Sequence, residues 1–115
     1  MANQKDAAKG KRSRSRTVLH AGDLCLNLRT RELTKGGNAV KLRPLECKLL
    51  ATFMRNPDKL LTYEFLMKKV WSTDFHDDRR TLQVHICWLR KKLGDNFRNP
   101  RYIHTERDRG YWFTP

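Results

Sequence analysis

Alternation of apolar and polar positions marks the first ordered part of the chain. Leu24, Leu26 and Leu28 occupy every second position and alternate with more polar residues, which is the period of a half-buried strand. Two more short strands are predicted at 32–34 and 39–42, with turn residues rich in glycine before the last. These closely spaced segments predict a small antiparallel meander.

The pattern then changes to helical spacing. Pro44 suits the first turn of a helix, and Leu45, Leu49 and Phe53 recur at the spacing of a helical apolar stripe. Asn56-Pro57 should end this first helix.

A second helix is predicted immediately downstream. Thr62 is its expected N-cap, with Glu64 in the positively polarised first turn. Phe65, Leu66 and Val70 should form its apolar side.

A third helix and a hairpin complete the predicted order. The helix begins near Arg79 or Arg80 and ends at Leu93, where Gly94 acts as a stop signal. Strands at 102–105 and 111–113 then flank Asp108-Arg109-Gly110. This predicts a hairpin with its glycine in the left-handed conformation.

The two sides of the third helix differ sharply on a helical wheel. The narrow apolar side consists of Leu82, Ile86, Leu89 and Leu93, and the opposite side carries Arg80, Thr81, Val84, Trp88 and Lys91. Five basic residues and no acid lie between 79 and 92. A basic and apolar outer side suits the major groove of DNA, where basic groups hold phosphates and apolar groups meet thymine methyls. The alternative is that Trp88 packs against the hairpin or against a partner protein.

Net charge strengthens the case for a polyanionic partner. The 115 residues carry 25 Lys and Arg against 12 Asp and Glu, a net charge of +13, which fits nucleic acid or an anionic membrane surface. Six basic residues against Asp6 alone give residues 1–16 a net +5. We therefore expect residues 1–20 to be a disordered basic tail, either an interdomain linker or an arm that touches nucleic acid, and 21–115 to be one folded domain.

Other function classes find little support. No apolar run suggests a membrane span or a secretory signal. Cys25, Cys47 and Cys87 have no disulfide or zinc spacing, which favours buried or neutral thiols in a reducing cytoplasm.

Metal and catalytic sites are also not expected. His20, His76, His85 and His104 lack paired ligand spacing, and Asp74, Asp77 and Asp78 are interpreted as an acidic bias before the third helix. No nucleophile and base pair, phosphate loop or carboxylate dyad is evident, so we expect no enzyme activity and no cofactor.

The third helix and hairpin resemble a known family. The helix reads Arg80-Thr81-Leu82-Gln83-Val84-His85-Ile86-Cys87-Trp88-Leu89-Arg90-Lys91-Lys92-Leu93, and the hairpin reads Ile103-His104-Thr105-Glu106-Arg107-Asp108-Arg109-Gly110-Tyr111-Trp112-Phe113. Both are similar to the OmpR/PhoB-type winged helix, the effector domain of many bacterial response regulators. The resemblance as a whole covers about Leu24 to Phe113.

The resemblance implies an α+β fold, a winged helix-turn-helix with an N-terminal four-stranded antiparallel sheet, three helices and a C-terminal hairpin wing. It implies a cytoplasmic two-component transcription regulator whose helix 80–93 enters the major groove and whose wing 103–113 reaches the minor groove. It also implies tandem dimers on direct repeats, an upstream receiver domain, and contact of the loop 71–78 with RNA polymerase.

Residue roles follow by position. The resemblance implies phosphate contacts by Arg80, Thr81, His85 and Arg90, base contacts by Val84, Cys87 and Trp88, and wing contacts by Thr105 and Arg107. Arg79, Lys91 and Arg109 complete the expected DNA-binding set as neighbouring cations.

Several residues depart from the family pattern. Cys87 and Trp88 stand where Arg or another polar reader is usual, and Trp cannot make the bidentate contact of Arg with guanine. Gln83 replaces a usual Asp, and Asp108 replaces a usual wing glycine. Arg43 replaces a helix-capping Ser or Thr, a loss of about 1 kcal/mol of capping.

Two functions therefore remain in competition. The first is a DNA-binding regulator that relies on phosphate contacts, groove shape and apolar contacts more than on guanine readout. The second is a winged-helix protein-interaction module with weakened or nonspecific DNA binding, an alternative that an exposed Trp88 keeps open. Nonspecific RNA or membrane binding through the tail is a weaker third.

Overall fold

The computed structural model describes residues 17–71, 79–96 and 98–115. Four short strands form the first sheet: β1 (Val18–Ala21), β2 (Leu24–Asn27), β3 (Glu32–Lys35) and β4 (Asn38–Lys41). They pair antiparallel in chain order, and Leu26 lies opposite Leu33. Leu24, Leu26 and Leu33 are buried, so the period-2 pattern gives the sheet its core-facing side.

The sheet starts earlier than the sequence pattern indicated. Val18–Ala21 pairs with β2, with Leu19 opposite Leu26, so the folded part begins before the boundary expected at residue 21. Of the disordered tail expected at 1–20, residues 18–20 instead belong to β1, while residues 1–16 lie outside the described residues.

Helix α1 (Pro44–Arg55) follows the sheet with Pro44 in its first turn, as predicted. The Arg43 side chain makes no capping bond, as expected. However, the Arg43 N–H donates to Glu46 Oε1 at 2.8 Å, so a carboxylate in the first turn supplies half of a capping box. This bond offsets part of the predicted capping loss.

The second helix begins where it was expected. Strand β5 (Leu61–Thr62) leads into α2 (Tyr63–Leu66), which continues as the π-helical turn Met67–Trp71. Thr62 is the N-cap, because its Oγ1 accepts from the Phe65 N–H at 3.1 Å. Leu66 and Val70 are buried, but the placement of Phe65 on the core side is wrong, since that ring is 36% exposed.

Helix α3 (Arg79–Leu93) and the hairpin of β6 (Ile103–Glu106) and β7 (Gly110–Phe113) complete the fold. The second sheet has the order β5-β7-β6, so β7 pairs with both the hairpin partner and β5. The left-handed hairpin position belongs to Asp108, with φ 64°, and not to Gly110, with φ 159°. The predicted left-handed glycine is therefore wrong.

One core joins the two sheets and the helices. Phe53 of α1 packs against Phe113 of β7, and Tyr102 stacks with Phe113. Over the described residues, the order of elements is the winged helix-turn-helix that the resemblance implied: four-stranded antiparallel sheet, three helices and a hairpin wing.

Candidate nucleic-acid interface

The outer side of α3 combines exposed apolar residues with exposed basic residues. Leu82, Ile86, Leu89 and Leu93 are at most 1% exposed and face the core, as the wheel predicted. Val84 and Trp88 on the opposite side are 38% and 37% exposed. Arg79, Arg80 and Lys91 are exposed around them, so the helix presents large apolar groups inside a basic border.

A row of contacting aromatic rings, one pair edge-to-face and the other tilted, supports the apolar part of this surface. The His85 ring lies between Trp71 and Trp88, with both ring centroids at 5.0 Å. His85 Nδ1 is 2.8 Å from the carbonyl oxygen of Thr81, which orients the imidazole. At the far end, the guanidinium of Arg43 lies over Trp88, 4.6 Å from its centroid.

Arg90 ties the wing to α3. Its Nη2 donates to the Ile103 carbonyl at 2.7 Å and to Thr105 Oγ1 at 2.9 Å, and its Nε donates to the same carbonyl at 3.3 Å. Partial burial lowers the pKa of the guanidinium, which stays charged because the ordinary value is far above neutral pH. The contacts fix the wing relative to the helix, so Arg90 is a positioning residue in this structure.

Backbone pairing with β5 fixes the β7 strand of the wing. Thr62 lies opposite Gly110 and Leu61 opposite Tyr111. A Cβ at position 110 would overlap the Leu61 carbonyl group, so glycine is required for β5 and β7 to approach this closely. Tyr111 is 3% exposed, and burial raises the pKa of its hydroxyl to about 12.

Asp95 organises the loop that leads into the wing. Its Oδ1 accepts from the Arg101 N–H at 2.7 Å, and its Oδ2 accepts from the Ile103 N–H at 2.9 Å and the Tyr102 N–H at 3.2 Å. An open cavity of about 770 Å³ lies between this loop, β7 and α3 and is lined by Gln83, Ile86, Cys87, Arg90, Lys91, Gly94, Asp95, Asn96 and Tyr111.

The wing tip is electrically mixed. Arg107 and Arg109 are exposed there, and so are Glu106 and Asp108. The Arg109 N–H donates to the Glu106 carbonyl at 3.0 Å and closes the turn. Two cations beside two carboxylates give the tip a weaker field than the border of α3.

The predicted DNA-binding residues fall into two groups by exposure. Exposed are Arg79, Arg80, Val84, Cys87, Trp88, Lys91, Thr105, Arg107 and Arg109; partly buried are Thr81, His85 and Arg90. The structure joins Arg90 to Thr105 and His85 to Trp88, while Arg107 and Arg109 lie on the separate wing tip. The loop expected at 71–78 begins with Trp71 in the π-helical turn, and its residues 72–78 lie outside the described residues.

Sequence reasoning missed Arg43 as a surface residue of this site. It was considered only as a poor helix cap, yet its guanidinium stacks on Trp88. A second cation, Arg79, was predicted as a site residue, and its guanidinium lies over the Tyr63 ring, 4.4 Å from the centroid. The odd residue at a capping position was the available signal, but its partner could not be found without the packing of α1 on α3.

Two site types find no support in the part of the chain that is described. Within 17–71, 79–96 and 98–115, no cluster of His, Cys, Asp and Glu is arranged to hold a metal ion. Over the same ranges, no helix is long and apolar enough to cross a membrane.

Comparison with known proteins places this fold in a family. The model for the family described as transcriptional regulatory protein, C terminal, matches residues 37–113. The chain belongs to this family, the OmpR/PhoB-type C-terminal domains. TrcR of Mycobacterium tuberculosis is 38% identical over 98 residues, and SphR of Synechococcus elongatus is 44% identical over 70 residues.

This OmpR/PhoB-type domain is shorter than those relatives. It matches 37% of the length of TrcR and 27% of the length of SphR, covering 85% and 61% of the present chain. The chain therefore spans about a third of the curated relatives that it matches.

Solved structures share the same fold. The Klebsiella pneumoniae RstA DNA-binding domain, in complex with the RstA box, has a TM-score of 0.78 and 28% identity, covering 85% of this chain and 97% of that one. The DNA-binding domain of CpxR from E. coli has a TM-score of 0.72 and 26% identity, covering 84% and 95%. The OmpR/PhoB-type domain thus has close counterparts in both sequence and structure.

Proposed function

We propose that this chain binds double-stranded DNA as the output domain of a transcription regulator, with α3 in the major groove. The observation that carries the proposal is the outer side of α3, where exposed Val84 and Trp88 are bordered by Arg80 and Lys91. The major groove admits an α-helix, and such a face can contact thymine methyls and flanking phosphates together. The family match and the RstA domain in complex with its DNA support the same function.

The wing is proposed to lie against the adjacent minor groove. Arg90 fixes β6 relative to α3, so a wing and a helix held in one geometry can contact neighbouring parts of one duplex. Because Glu106 and Asp108 offset Arg107 and Arg109 at the tip, we expect the wing to contribute less to affinity than α3 does.

The test measures binding of the wild-type chain and two variants to a duplex that the wild type selects from a random-sequence pool. Arg80→Ala should lower affinity about 10-fold, because it removes a phosphate contact at the start of α3. Arg107→Ala should lower it about 3-fold, since nearby acids already weaken the tip field. Fluorescence anisotropy at fixed salt gives both values.

Lys48→Ala is the matched control. Lys48 is an exposed cation on α1 that lines a groove with Leu28 and Arg31. Its replacement by alanine removes one positive charge, as the Arg80 and Arg107 substitutions also do. It should leave affinity within about 2-fold of the wild type. If all three variants bind alike, or if the wild type selects no duplex, DNA binding by this face is contradicted.

The second candidate is a protein-interaction module, favoured by one observation. Trp88 exposes 37% of its surface beside the exposed Cys87, and exposed aromatics are enriched at protein interfaces. A wild-type chain without DNA binding in the anisotropy experiment would favour this function.

The setting of the domain follows as part of the proposal. The matched relatives are longer than this chain, which fits a receiver domain in a complete response regulator acting in the cytoplasm. Tandem copies on direct repeats, and contact of the segment 71–78 with RNA polymerase, remain predictions of the family resemblance. Footprinting with a chain that includes the upstream region would test the tandem arrangement through the length protected.

A further inference from the structure

Arg43 and Trp88 come from different elements and form one contact. Arg43 precedes α1 and Trp88 lies in the second half of α3, yet the guanidinium lies 4.6 Å from the centroid of the indole. Arg stacks on aromatic faces through its planar, delocalised charge. The contact places the cation at the N-cap of α1 on the outer side of α3.

The same guanidinium also forms an ion pair with an anchored carboxylate. Arg43 Nη1 lies 3.6 Å from Glu46 Oε2. Glu46 is fully buried, and its Oε1 accepts from the Arg43 N–H at 2.8 Å and from Lys92 Nζ at 3.1 Å. A carboxylate fixed by a backbone amide and a lysine can orient Arg43 before any ligand binds, and such preorganisation reduces the entropic cost of binding.

The oriented group remains accessible. The Arg43 side chain is 62% exposed, and a guanidinium has five N–H donors, more than one ion pair can occupy. The exposed residues in the middle of α3 carry no charge; they are Gln83, Val84, Cys87 and Trp88. Arg43 therefore adds a cation from outside α3 directly at Trp88, in addition to the Arg80 and Lys91 that border this face on the helix itself.

We propose that Arg43 and Trp88 act as one DNA-contacting unit, in which Trp88 and Glu46 hold the Arg43 guanidinium for a DNA phosphate beside the groove that α3 enters. The inference rests on the proposed function and adds to it the N-cap residue of α1. Trp88 then has two roles in the same contact, an apolar surface toward the bases and a platform for the cation.

The experiment compares Arg43→Ala with Lys48→Ala in the complete chain, on the duplex selected by the wild type, over about 50 to 200 mM salt. Arg43→Ala should lower affinity about 10-fold and reduce the slope of log affinity against log salt by about 0.9, the value for one phosphate contact. Lys48→Ala, which removes an equal charge from within α1, should change neither. Equal effects of the two variants would overturn the proposal.

Trp88→Ala tests whether the pair is a unit. In that background, Arg43→Ala should lower affinity only about 2-fold, because the guanidinium has already lost its platform. If Arg43→Ala lowers affinity as strongly in the Trp88→Ala chain as in the wild type, the two residues contact DNA independently. That result would overturn the proposal that they act as one unit.

Arg43→Lys separates charge from folding, since Arg43 also pairs with buried Glu46. The lysine should keep the wild-type salt slope, because a cation still reaches the phosphate. If it loses the slope as completely as Arg43→Ala does, the effect lies in the structure around Glu46 and the proposal fails. Thermal unfolding of each variant sets a temperature at which all are folded.

Failure of the inference and failure of the proposed function give different results. If the wild type binds and Arg80→Ala weakens it while Arg43→Ala behaves as Lys48→Ala does, only the Arg43 proposal is overturned. If the wild type binds no duplex, DNA binding itself is overturned.

Discussion

Gly110 shows how a single residue controls the position of the wing. It begins β7 opposite Thr62, and its α-carbon passes so close to the Leu61 carbonyl that a Cβ has no space. The obstacle is backbone and not a flexible side chain, so it cannot move aside without breaking the pairing of β5 with β7.

Gly110→Ala is therefore expected to lower the free energy of unfolding by about 3 kcal/mol, at the upper end of overpacking costs. Gly36→Ala is the control, because Gly36 has φ 55° but open space around it and should cost about 1 to 2 kcal/mol from the left-handed conformation alone. Urea unfolding monitored by circular dichroism measures both. Equal losses would contradict the overlap argument.

Tyr111 gives the stability a dependence on alkaline pH. Its folded pKa is raised to about 12 by burial, whereas a tyrosine in an unfolded chain titrates near 10. Between these values the unfolded chain releases the proton and the folded chain retains it, so stability is complete below pH about 10 and falls as pH rises toward about 12.

The expected loss across that window is about 2 to 3 kcal/mol. Tyr111→Phe should remove this part of the pH dependence while keeping the ring contact with Tyr63, whose centroid lies at 5.7 Å. Unfolding free energies of both chains, measured from neutral to alkaline pH, check it. Parallel curves for the two chains would contradict the assignment to Tyr111.

At the scale of elements, α3 and the wing form one unit because a cation lies between them. Arg90 donates to the Ile103 carbonyl and to Thr105, while Asp95 accepts from the backbone of 101–103. The family resemblance implied that Arg90 contacts phosphate, which stays a prediction; the bonds observed in the structure hold β6 against α3.

Arg90→Ala should therefore destabilise the fold by about 2 kcal/mol, since it leaves a partly buried carbonyl without its charged donor. Lys91→Ala, one residue further along and exposed, should stay within about 0.5 kcal/mol of the wild type. Chemical denaturation measures both variants. A loss for Arg90→Ala no larger than for Lys91→Ala would show that the tie does not stabilise the fold.

The order of the elements was largely predictable from the sequence, whereas the surroundings and backbone conformation of individual residues were less so. The leucines of β2, the stripe of α3 and the caps at Thr62 and Gly94 followed from local pattern, because period and capping depend on neighbours in sequence. The side-chain environment of Phe65 and the conformation at Gly110 did not, since both depend on which distant residues occupy the adjacent space.

At the scale of the whole molecule, charge and surface chemistry determine how DNA would be bound. The net charge is +13, with basic residues around α3 and in the sequence 1–16, while the exposed centre of α3 is apolar. Phosphate contacts release counterions and depend on salt, whereas guanine readout requires a bidentate donor such as Arg.

We therefore expect the affinity of the wild-type chain to fall at least about 100-fold between about 50 and 200 mM salt. Substituting any single guanine in the contacted site should cost less than about 10-fold, because Trp88 and Cys87 offer no bidentate donor. A panel of duplexes titrated at several salt concentrations measures both quantities. Strong selection for one guanine under α3 would contradict the expectation.

The sequence by itself determined the two sides of α3. A helix turns by about 100° per residue, so the spacing of Leu82, Ile86 and Leu89 dictates which residues face the core and leaves Val84 and Trp88 outside. It also determined the family, because the ordered residues of α3 and the wing remain recognisable without coordinates.

Only the tertiary structure decided what surrounds that outer side. Arg43 over Trp88, and Arg90 between α3 and β6, are contacts between residues far apart in the chain. Their geometry depends on how α1 and the wing pack against α3, and no local periodicity encodes that packing. The faces of the helix thus follow from backbone geometry, whereas the groups that support and charge them follow from the shared core.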